Sequence, residues 1–442
     1  MKHTFRLGAA AAAASVLVLG LAACGSSGGG GDAGSQEITY WATNQGQSLD
    51  HDREVLSESL ERFTEETGIK VNLEVIPWTD MYNRILTAVT SGDGPDVLNI
   101  GNTWAVTLQE TGAFEPVEGE FLEAIGGQDR FMSAAWATAG AEGKAPTSVP
   151  LYSQAYSLYY NTELFEEAGI DAPPATWDEF VETAKKLTKD TDGDGKIDQW
   201  GISTEAGAVT NGAHHSFIRG KQHGGAMFDA DGQPTFNTDA QIDGVAEWVD
   251  LMGTHKVMSP SDAEMTNGAD AVANLIDGRA AMVFNQNPVK NFTARDFEDW
   301  GVAPMPLVDG NATGDRAVMS FAAGSNVSVF KNSDSKDAAY QLVAHLTDTE
   351  EQVYLNDAYT SLPTVADAYD AEEFQNESAK LKEKTLADHA QPMPLVAQEG
   401  QMETLVGTAV KNLFAQAATG TVTRADVERA LTDAQNQMTA AQ

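Results

Sequence analysis

The sequence predicts an α/β protein with room for two domains, and three observations carry this prediction. Between residues 37 and 100, apolar residues switch between a period of two and a period of 3.6, which is typical of alternating strands and helices. The same alternation returns after residue 176. The chain has 442 residues, 42% of them hydrophobic, which is enough for two ordinary domains.

The first 36 residues precede the fold. Lys2 and Arg6 form a basic start, and the short apolar run 7–23 reads as a signal peptide rather than a membrane span. That run ends in Leu-Ala-Ala-Cys, which resembles a bacterial lipobox, so Cys24 is predicted to carry a lipid. Gly and Ser dominate residues 25–35, so 24–36 is a flexible tether. The alternative is a plain signal peptide with Cys24 incidental.

The next segment predicts one parallel α/β lobe. Its predicted elements are a strand at 37–42, a helix through 55–63 ended by Gly68, a strand at 69–75, a helix through 81–89, a break at 91–95 and a strand at 96–100. Strand, helix, strand, helix, strand within about 65 residues is the pattern of a parallel sheet.

Similar signals continue to the end of the chain. Thr176 and Glu179 match a capping box at a helix start. Further strands are predicted at 281–285 and 301–305, and residues 402–438 are predicted to be mostly helical with a break near Gly420.

Charge and cysteine content narrow the function classes. The formal net charge is −38, so the surface repels nucleic acid and anionic lipid, and no nucleic-acid partner is expected. Cys24 is the only cysteine, which excludes an internal disulfide.

Several segments together resemble one family, that of the extracellular solute-binding proteins, which includes the maltose- and trehalose-binding proteins. These segments are 92–97, 150–170 with the helix start at 176–179, 224–229, 278–282, 338–352 and 361–364. They occur in the family's order and cover nearly all of residues 37–440. The chain departs from the family pattern at 285–288, where Gly-x-Trp is common, and near 320–321, where a Gly pair is common.

The resemblance implies a two-lobe, periplasmic-binding-protein-like fold of type II, with a ligand cleft between hinge-linked lobes. It places residues 37–150 and 303–347 in lobe 1 and residues 151–302 and 348–442 in lobe 2. The crossings are expected near Leu151, Ala303 and the 338–346 helix. It implies an extracytoplasmic component of an ABC transporter that binds a sugar, closes and delivers it to the permease subunits. Together with the lipid predicted at Cys24, we expect a monomeric protein anchored to the cell membrane.

A sugar site needs flat aromatic faces and polar groups for hydroxyls. Loops after first-lobe strands offer both, at Asn44, Gln47, Trp78, Asp80, Asn102, Thr103 and Trp104. Positions where the resemblance implies contacts are Tyr152, Ser153, Gln154, His214 and Phe217. Amides at Asn285, Gln286 and Asn287 end a predicted strand, and Ser320 and Thr360 complete the candidate site. A metal held by His214 and His215 is the alternative reading of that pair.

Residues 190–198 resemble a calcium loop. Oxygens of Asp190, Asp192, Asp194 and Asp198, with the Lys196 carbonyl and a central glycine, match EF-hand spacing. Position 12 is Gly201 instead of Glu, so Glu205 or another group would have to complete the site. A structural Ca²⁺ is therefore expected as an optional ion, with a solvated acidic turn as the alternative.

Two other functions remain open. A secreted carbohydrate-active enzyme would need two carboxylates that face each other across the sugar. Because the chain has 65 acidic residues, the number of acids does not show whether such a pair exists. Because the sequence contains no serine-hydrolase elbow, His-Glu-x-x-His or phosphate loop, no enzyme activity is expected. The same fold with a peptide, polyamine or osmolyte ligand is the other alternative.

Overall fold

A computed structural model describes residues 36–46 and 48–440. The strands are β1 (Glu37–Thr43), β2 (Lys70–Ile76), β3 (Val97–Gly101), β4 (Val149–Gln154), β5 (Ser157–Asn161), β6 (Met282–Asn285), β7 (Trp300–Ala303), β8 (Ser320–Phe321), β9 (Ala323–Val329) and β10 (Ala390–Gln391). The α-helices are α1 (Leu49–Thr67), α2 (Trp78–Ser91), α3 (Ala105–Glu110), α4 (Gly119–Ala124), α5 (Ser133–Trp136), α6 (Thr162–Glu167), α7 (Trp177–Leu187), α8 (Val209–Gln222), α9 (Asp239–Gly253), α10 (Gly268–Ile276), α11 (Val289–Ala294), α12 (Lys336–Leu346), α13 (Thr349–Tyr359), α14 (Glu377–Asp388), α15 (Glu399–Thr419) and α16 (Arg424–Ala440). None of these helices combines the length and apolar character that a membrane crossing requires.

The first lobe is built on a five-stranded sheet with the order β2-β1-β3-β9-β4. Strand β1 pairs in parallel with β2 and β3, whereas β9 is antiparallel to both β3 and β4. Strands β1, β2, β3 and β4 therefore point the same way, and their carboxyl ends meet at one edge. That edge is where the polar loops predicted to bind ligand begin.

Local signals explain where the first helices end. Gly68 and Gly92 follow α1 and α2 in the left-handed conformation, with φ of 75° and 74°, and each donates its N–H to a carbonyl of the last helical turn. In the second lobe, Thr176 and Glu179 form both hydrogen bonds of a capping box at the start of α7. These elements confirm the sequence predictions at those positions.

The second lobe has a three-stranded antiparallel sheet with the order β6-β5-β7. Its main core joins Phe284 of β6 to Phe217 of α8, Trp248 of α9 and Phe414 of α15. Strands β6 and β7 confirm the strands predicted at 281–285 and 301–305, and α15 and α16 confirm the helical C-terminal stretch.

The crossing between lobes predicted at the 338–346 helix lies elsewhere in the structure. Helices α12 and α13 both pack against the first-lobe core, where Leu342, Leu355 and Tyr359 join Val55. Helix α13 therefore belongs with lobe 1, although the sequence division puts residues from 348 onward in lobe 2. The reason is that Leu355 and Tyr359 are buried in the first-lobe core. The buried Gln352 also donates to the Leu151 carbonyl of β4 at 3.1 Å.

The return from lobe 2 to lobe 1 also comes later than predicted. Met305, Phe321 and Ala323 still pack in the second-lobe core, and the first-sheet strand β9 begins only at Ala323. The first crossing lies at residues 155–156, between β4 and β5, close to the position predicted near Leu151.

Candidate functional site

Three side chains at the carboxyl edge of the first sheet, Trp78, Tyr82 and Trp104, form an aromatic wall. Trp104 ends a 3₁₀ turn directly after β3, and its ring lies edge-on to Trp78 (centroids 5.5 Å apart, 73°) and tilted against Tyr82 (4.9 Å, 52°). Asn44, after β1, accepts a 2.9 Å hydrogen bond from the backbone N–H of Trp78. The structure thus brings together Asn44, Trp78 and Trp104, as the strand-end rule predicts.

A carboxylate from the C-terminal helix α15 meets this wall. Glu403 is 5% exposed and accepts hydrogen bonds from the indole N–H of Trp104 at 3.0 Å and, at a longer 3.5 Å, from Thr103 Oγ1. Its Oε1 also lies 3.0 Å from His214 Nε2 on α8. Because the carboxylate is an acceptor, His214 Nε2 is the donor in that contact. One side chain therefore links the first-lobe wall to a second-lobe helix.

Behind His214 lies a second polar group of the site. The Tyr156 hydroxyl is 3.3 Å from His214 Nδ1, and its pKa is raised by burial and, secondly, by the negative charge of Glu205. The side-chain amides of Gln286 and Asn211 act in the opposite direction and lower the pKa of Tyr156. Burial also raises the pKa of Glu205. These residues offer hydrogen-bonding groups deep in the second lobe.

The start of α15 packs against the wall at Tyr82. Gly400 approaches Tyr82 so closely that a Cβ on Gly400 would lie 2.6 Å from the tyrosine hydroxyl. Its backbone N–H donates to Thr107 Oγ1 at 3.2 Å, and Thr107 in turn donates to the Ala397 carbonyl at 2.9 Å. Burial, followed by the charges of Glu399 and Glu403, raises the pKa of Tyr82 to about 12.

Amide contacts close the cleft near the crossing segments. The Asn287 side-chain amide donates to the carbonyls of Gln45 and Tyr359, each at 3.2 Å, and Thr360 Oγ1 donates to the Asn287 carbonyl at 3.3 Å. Gln154 reaches Gln45 Oε1 at 3.4 Å. The predicted residues Gln154, Asn287 and Thr360 therefore meet at the place where the chain passes between lobes.

Other predicted site residues have different surroundings. Tyr152 is buried in the first-lobe core, edge-on to Tyr359 at 5.6 Å, and Phe217 is buried in the second-lobe core. Ser320 Oγ accepts the Tyr156 N–H at 2.9 Å and donates to the Phe321 carbonyl. These three side chains are already used by packing or by the backbone.

The remaining predicted residues take minor positions. The Asn102 amide donates to the Ala322 carbonyl at 2.8 Å, and Ser153 extends the first sheet by pairing with Leu362. Asn285 Oδ1 accepts the Asn287 N–H at 3.0 Å, and Asp80 is exposed in the first turn of α2. Gln47 and Cys24 lie outside the described residues.

Sequence reasoning missed Glu399 and Glu403 as well as Tyr82 and Tyr156, and it considered Glu205 only as a ligand completing the 190–198 loop, whereas Glu205 is buried near Tyr156. One signal could have revealed two of them. Glu399 and Glu403 lie four residues apart and in register with Val406 and Val410, on the apolar face of α15. A carboxylate on the buried face of an amphipathic helix is rarely structural unless it is paired.

The acidic loop at 190–198 brings three carboxylates together. Among the described residues, Asp190, Asp192 and Asp194 are the one group of three or more potential metal ligands, with ligand atoms within 4.8 Å of one another. Asp190 accepts the N–H groups of Gly193 (2.7 Å) and Gly195 (2.8 Å), and both glycines have positive φ. Asp198 lies outside the group and accepts from the backbone N–H and hydroxyl of Thr191, which lowers its pKa.

The positions of potential metal ligands also test the metal site considered for His214 and His215. His214 and His215 lack a third ligand within the described part of the chain. His215 is instead fully buried and stacks on Trp248 with ring centroids 4.1 Å apart. His215 is therefore held by packing against Trp248.

Comparison with known proteins identifies the family. The sequence model of the bacterial extracellular solute-binding proteins matches residues 50–353. The chain belongs to this family. This confirms the resemblance predicted from the segments at 92–97, 150–170 and beyond. Members of the family and the relatives below are binding proteins rather than enzymes.

Relatives of this solute-binding protein are distant. An arabinooligosaccharide-binding protein of Halalkalibacterium halodurans is 30% identical over 238 residues, which are 53% of this chain and 49% of that protein. A putative binding protein of Brucella abortus is 25% identical over 285 residues, 64% of this chain and 65% of that protein. The matches thus span less than two thirds of these relatives' own length.

Solved structures confirm the two-lobe fold of type II. An ABC transporter solute-binding protein from Thermotoga lettingae, bound with alpha-D-tagatose, has a TM-score of 0.78 and 24% identity, covering 92% of this chain and 99% of that one. A maltose-bound T. maritima protein has a TM-score of 0.75 and 23% identity, covering 92% and 100%. At such identities the likeness shows the fold alone.

Proposed function

We propose that this protein is the extracytoplasmic binding component of an ABC transporter, which captures a sugar or short oligosaccharide between its lobes and delivers it to the membrane permease. The observation that carries the proposal is the link made by Glu403. It bonds to Trp104 of the first lobe and to His214 of the second, beside an aromatic wall of the kind that packs on sugar faces.

Two further observations support a sugar. Relatives include proteins named for binding arabinooligosaccharide and maltotriose. The site also combines aromatic rings with carboxylate, imidazole and amide groups, which suit the faces and hydroxyl rim of a sugar. We expect ligand binding to close the lobes, because a ligand that contacts both of them stabilises the closed state by its differential affinity.

The test is a melting-temperature screen of residues 36–442 against mono- and oligosaccharides, followed by calorimetry of each hit and product analysis by chromatography. We expect at least one sugar to raise the melting temperature and to be recovered intact. Cleavage products would favour the alternative of a carbohydrate-active enzyme. Binding of a peptide, polyamine or osmolyte, with no sugar binding, would contradict the proposed ligand class.

Trp104→Ala should weaken binding of such a sugar at least about tenfold, roughly 1.4 kcal/mol, because the wall loses a stacking face. Trp136→Ala is the matched control, since Trp136 packs on Phe131 in the first lobe, with ring centroids 5.2 Å apart. Trp104 is itself 7% exposed, so Trp104→Phe, which keeps an aromatic ring, serves as a second variant. Unchanged calorimetric affinity in both Trp104 variants would remove this residue from the site.

The proposal includes export, anchoring and a monomeric state. The basic start, apolar run and Leu-Ala-Ala-Cys segment support cleavage before Cys24 and attachment of a lipid there. The Gly/Ser segment would then tether the lobes beside the permease at high local concentration. In cells, Cys24→Ser should move the protein from the membrane to the soluble fraction, and continued membrane association would contradict lipid anchoring at Cys24.

We also propose that the 190–198 loop binds Ca²⁺ in a structural role. Three carboxylates with ligand atoms within 4.8 Å of one another fit a hard cation that prefers oxygen. EDTA should lower the melting temperature and Ca²⁺ should restore it, because a ligand present at 100 times its Kd stabilises the folded state by about 2.7 kcal/mol. Asp192→Asn should blunt this response, whereas equal melting temperatures with EDTA and Ca²⁺ would refute the site.

A further inference from the structure

Glu399, at the start of α15, is a buried carboxylate without a partner. It is 1% exposed, and neither of its oxygens has a hydrogen-bond partner among the described residues. The next residue, Gly400, packs against Tyr82, and Glu403 lies one turn further along the buried face of α15. Glu399 is therefore one helical turn from the carboxylate that meets Trp104.

Such a group is unfavourable for the free protein. A carboxylate removed from water without hydrogen bonds costs several kcal/mol, or it takes up a proton. Burial, and then the negative charge of Glu403, raises the pKa of Glu399 well above its usual range. Glutamine or an aliphatic residue would fill this place at lower cost, so an acid here indicates a use that packing does not explain.

A second buried acid with an unpartnered oxygen, Glu205, lies near Tyr156. Glu205 Oε2 is buried and has no hydrogen-bond partner in the described ranges. The hydrogen bonds and ion pairs of the described chain place no Lys or Arg on Glu205, Glu399 or Glu403, and His214 is the one basic side chain among their partners. The site therefore has an excess of buried oxygens without donors.

The kind of cation that could satisfy these acids follows from their spacing and chemistry. Glu399, Glu403 and Glu205 do not form a group with ligand atoms within 4.8 Å, because the acidic loop at 190–194 is the one such group in residues 36–46 and 48–440. A metal ion is thus disfavoured. An ammonium group carries three donors and no acceptor, whereas a hydroxyl brings an acceptor with its donor. The unpaired oxygens match the ammonium better.

We propose that the cleft takes a sugar bearing a free amino group, with its ammonium bound at Glu399 and its ring against the wall of Trp78, Tyr82 and Trp104. This rests on the proposed function, because it assumes a sugar in the same cleft. Glu403 stays engaged with Trp104 and His214, so Glu399 is the group left to receive the amine. Glu399 then acts as a specificity-determining residue.

Calorimetry with matched probes tests this proposal. Glucosamine and its β-1,4-linked disaccharide are compared with their N-acetylated counterparts and with maltose, at pH 7 and one salt concentration. We expect the free amines to bind at least tenfold more tightly than the N-acetyl forms, which are neutral but carry the same ring. Glu399→Gln should reduce that preference to twofold or less, whereas Glu428→Gln, an exposed change on α16, should leave it intact.

The outcomes separate this proposal from the proposed function. If maltose or the N-acetylated sugars bind as well as the amines, the amino-sugar proposal is overturned and sugar binding stands. If no sugar of either kind binds in the wider screen, both fail. If the amine preference survives in Glu399→Gln, the residue assignment is wrong. The same variant should raise the melting temperature of the ligand-free protein, and Glu399→Met repeats the test if the glutamine variant is poorly folded.

Discussion

Gly407→Ala should destabilise the protein by about 3 kcal/mol or more in urea unfolding, because α15 crosses α8 with backbone against backbone. A Cβ on Gly407 would lie 2.0 Å from the Val209 carbonyl oxygen and 2.8 Å from Val209 C and Cγ1. On the other side, a Cβ on Gly212 would lie 3.1 Å from the Gly407 carbonyl oxygen. No side-chain rotation relieves a clash with a backbone atom, so the two helices must move apart and lose packing.

Gly253→Ala is the matched control for this change. Gly253 also lies in a helix, α9, but its Cβ would meet only Ala417 Cβ, at an ordinary 3.6 Å. Here alanine should be neutral or slightly stabilising, by at most about 1 kcal/mol, through its helix propensity. If Gly407→Ala and Gly253→Ala unfold at the same urea concentration, the close crossing is not required for stability.

The same crossing positions the site. Helix α8 carries His214 and α15 carries Glu403, and their side chains meet at 3.0 Å. Gly407 lies one turn beyond Glu403, so a methyl group added there should lengthen the His214–Glu403 contact. Gly407→Ala should therefore also weaken sugar binding. A stability loss with unchanged affinity would show that the His214–Glu403 contact tolerates movement of the helices.

How far the sequence predicts this protein depends on the range of the interaction involved. The capping box at Thr176 and the left-handed Gly68 depend on neighbouring residues, and both are confirmed. The grouping of Asn44, Trp78 and Trp104 depends on one rule about strand ends, and it too is found. Local chemistry and sheet direction are therefore enough for half of the site.

The other half depends on contacts that span the chain. Glu403 meets Trp104 across 299 residues, and nothing near Glu403 in sequence shows that α15 returns to the first lobe. Likewise, α13 could be placed against either core until its partners, such as Val55, are known. A periodic pattern shows that a helix has a buried face, but not which sheet buries it.

The second large expected effect is a loss of folding stability at acid pH, and it depends on His215. The imidazole is fully buried and stacked on Trp248, and neither ring nitrogen has a hydrogen-bond partner in the described part of the chain. Burial, and then the nearby charges of His214 and Arg219, lowers its pKa to about 3. Since the unfolded chain has a histidine pKa of about 6.5, it takes up the proton first as pH falls.

The stability that neutral His215 contributes is therefore complete above about pH 6.5 and is lost progressively as pH falls toward 3. Between pH 7.5 and 4.5 the loss should be about 2–3 kcal/mol. His215→Phe keeps an aromatic ring against Trp248 and does not titrate, so its unfolding free energy should fall less over the same interval. All other titrating groups are shared by the two proteins and cancel in the difference. Urea unfolding of both at the two pH values measures that difference, and parallel pH profiles would show that His215 is protonated equally in the folded and unfolded states.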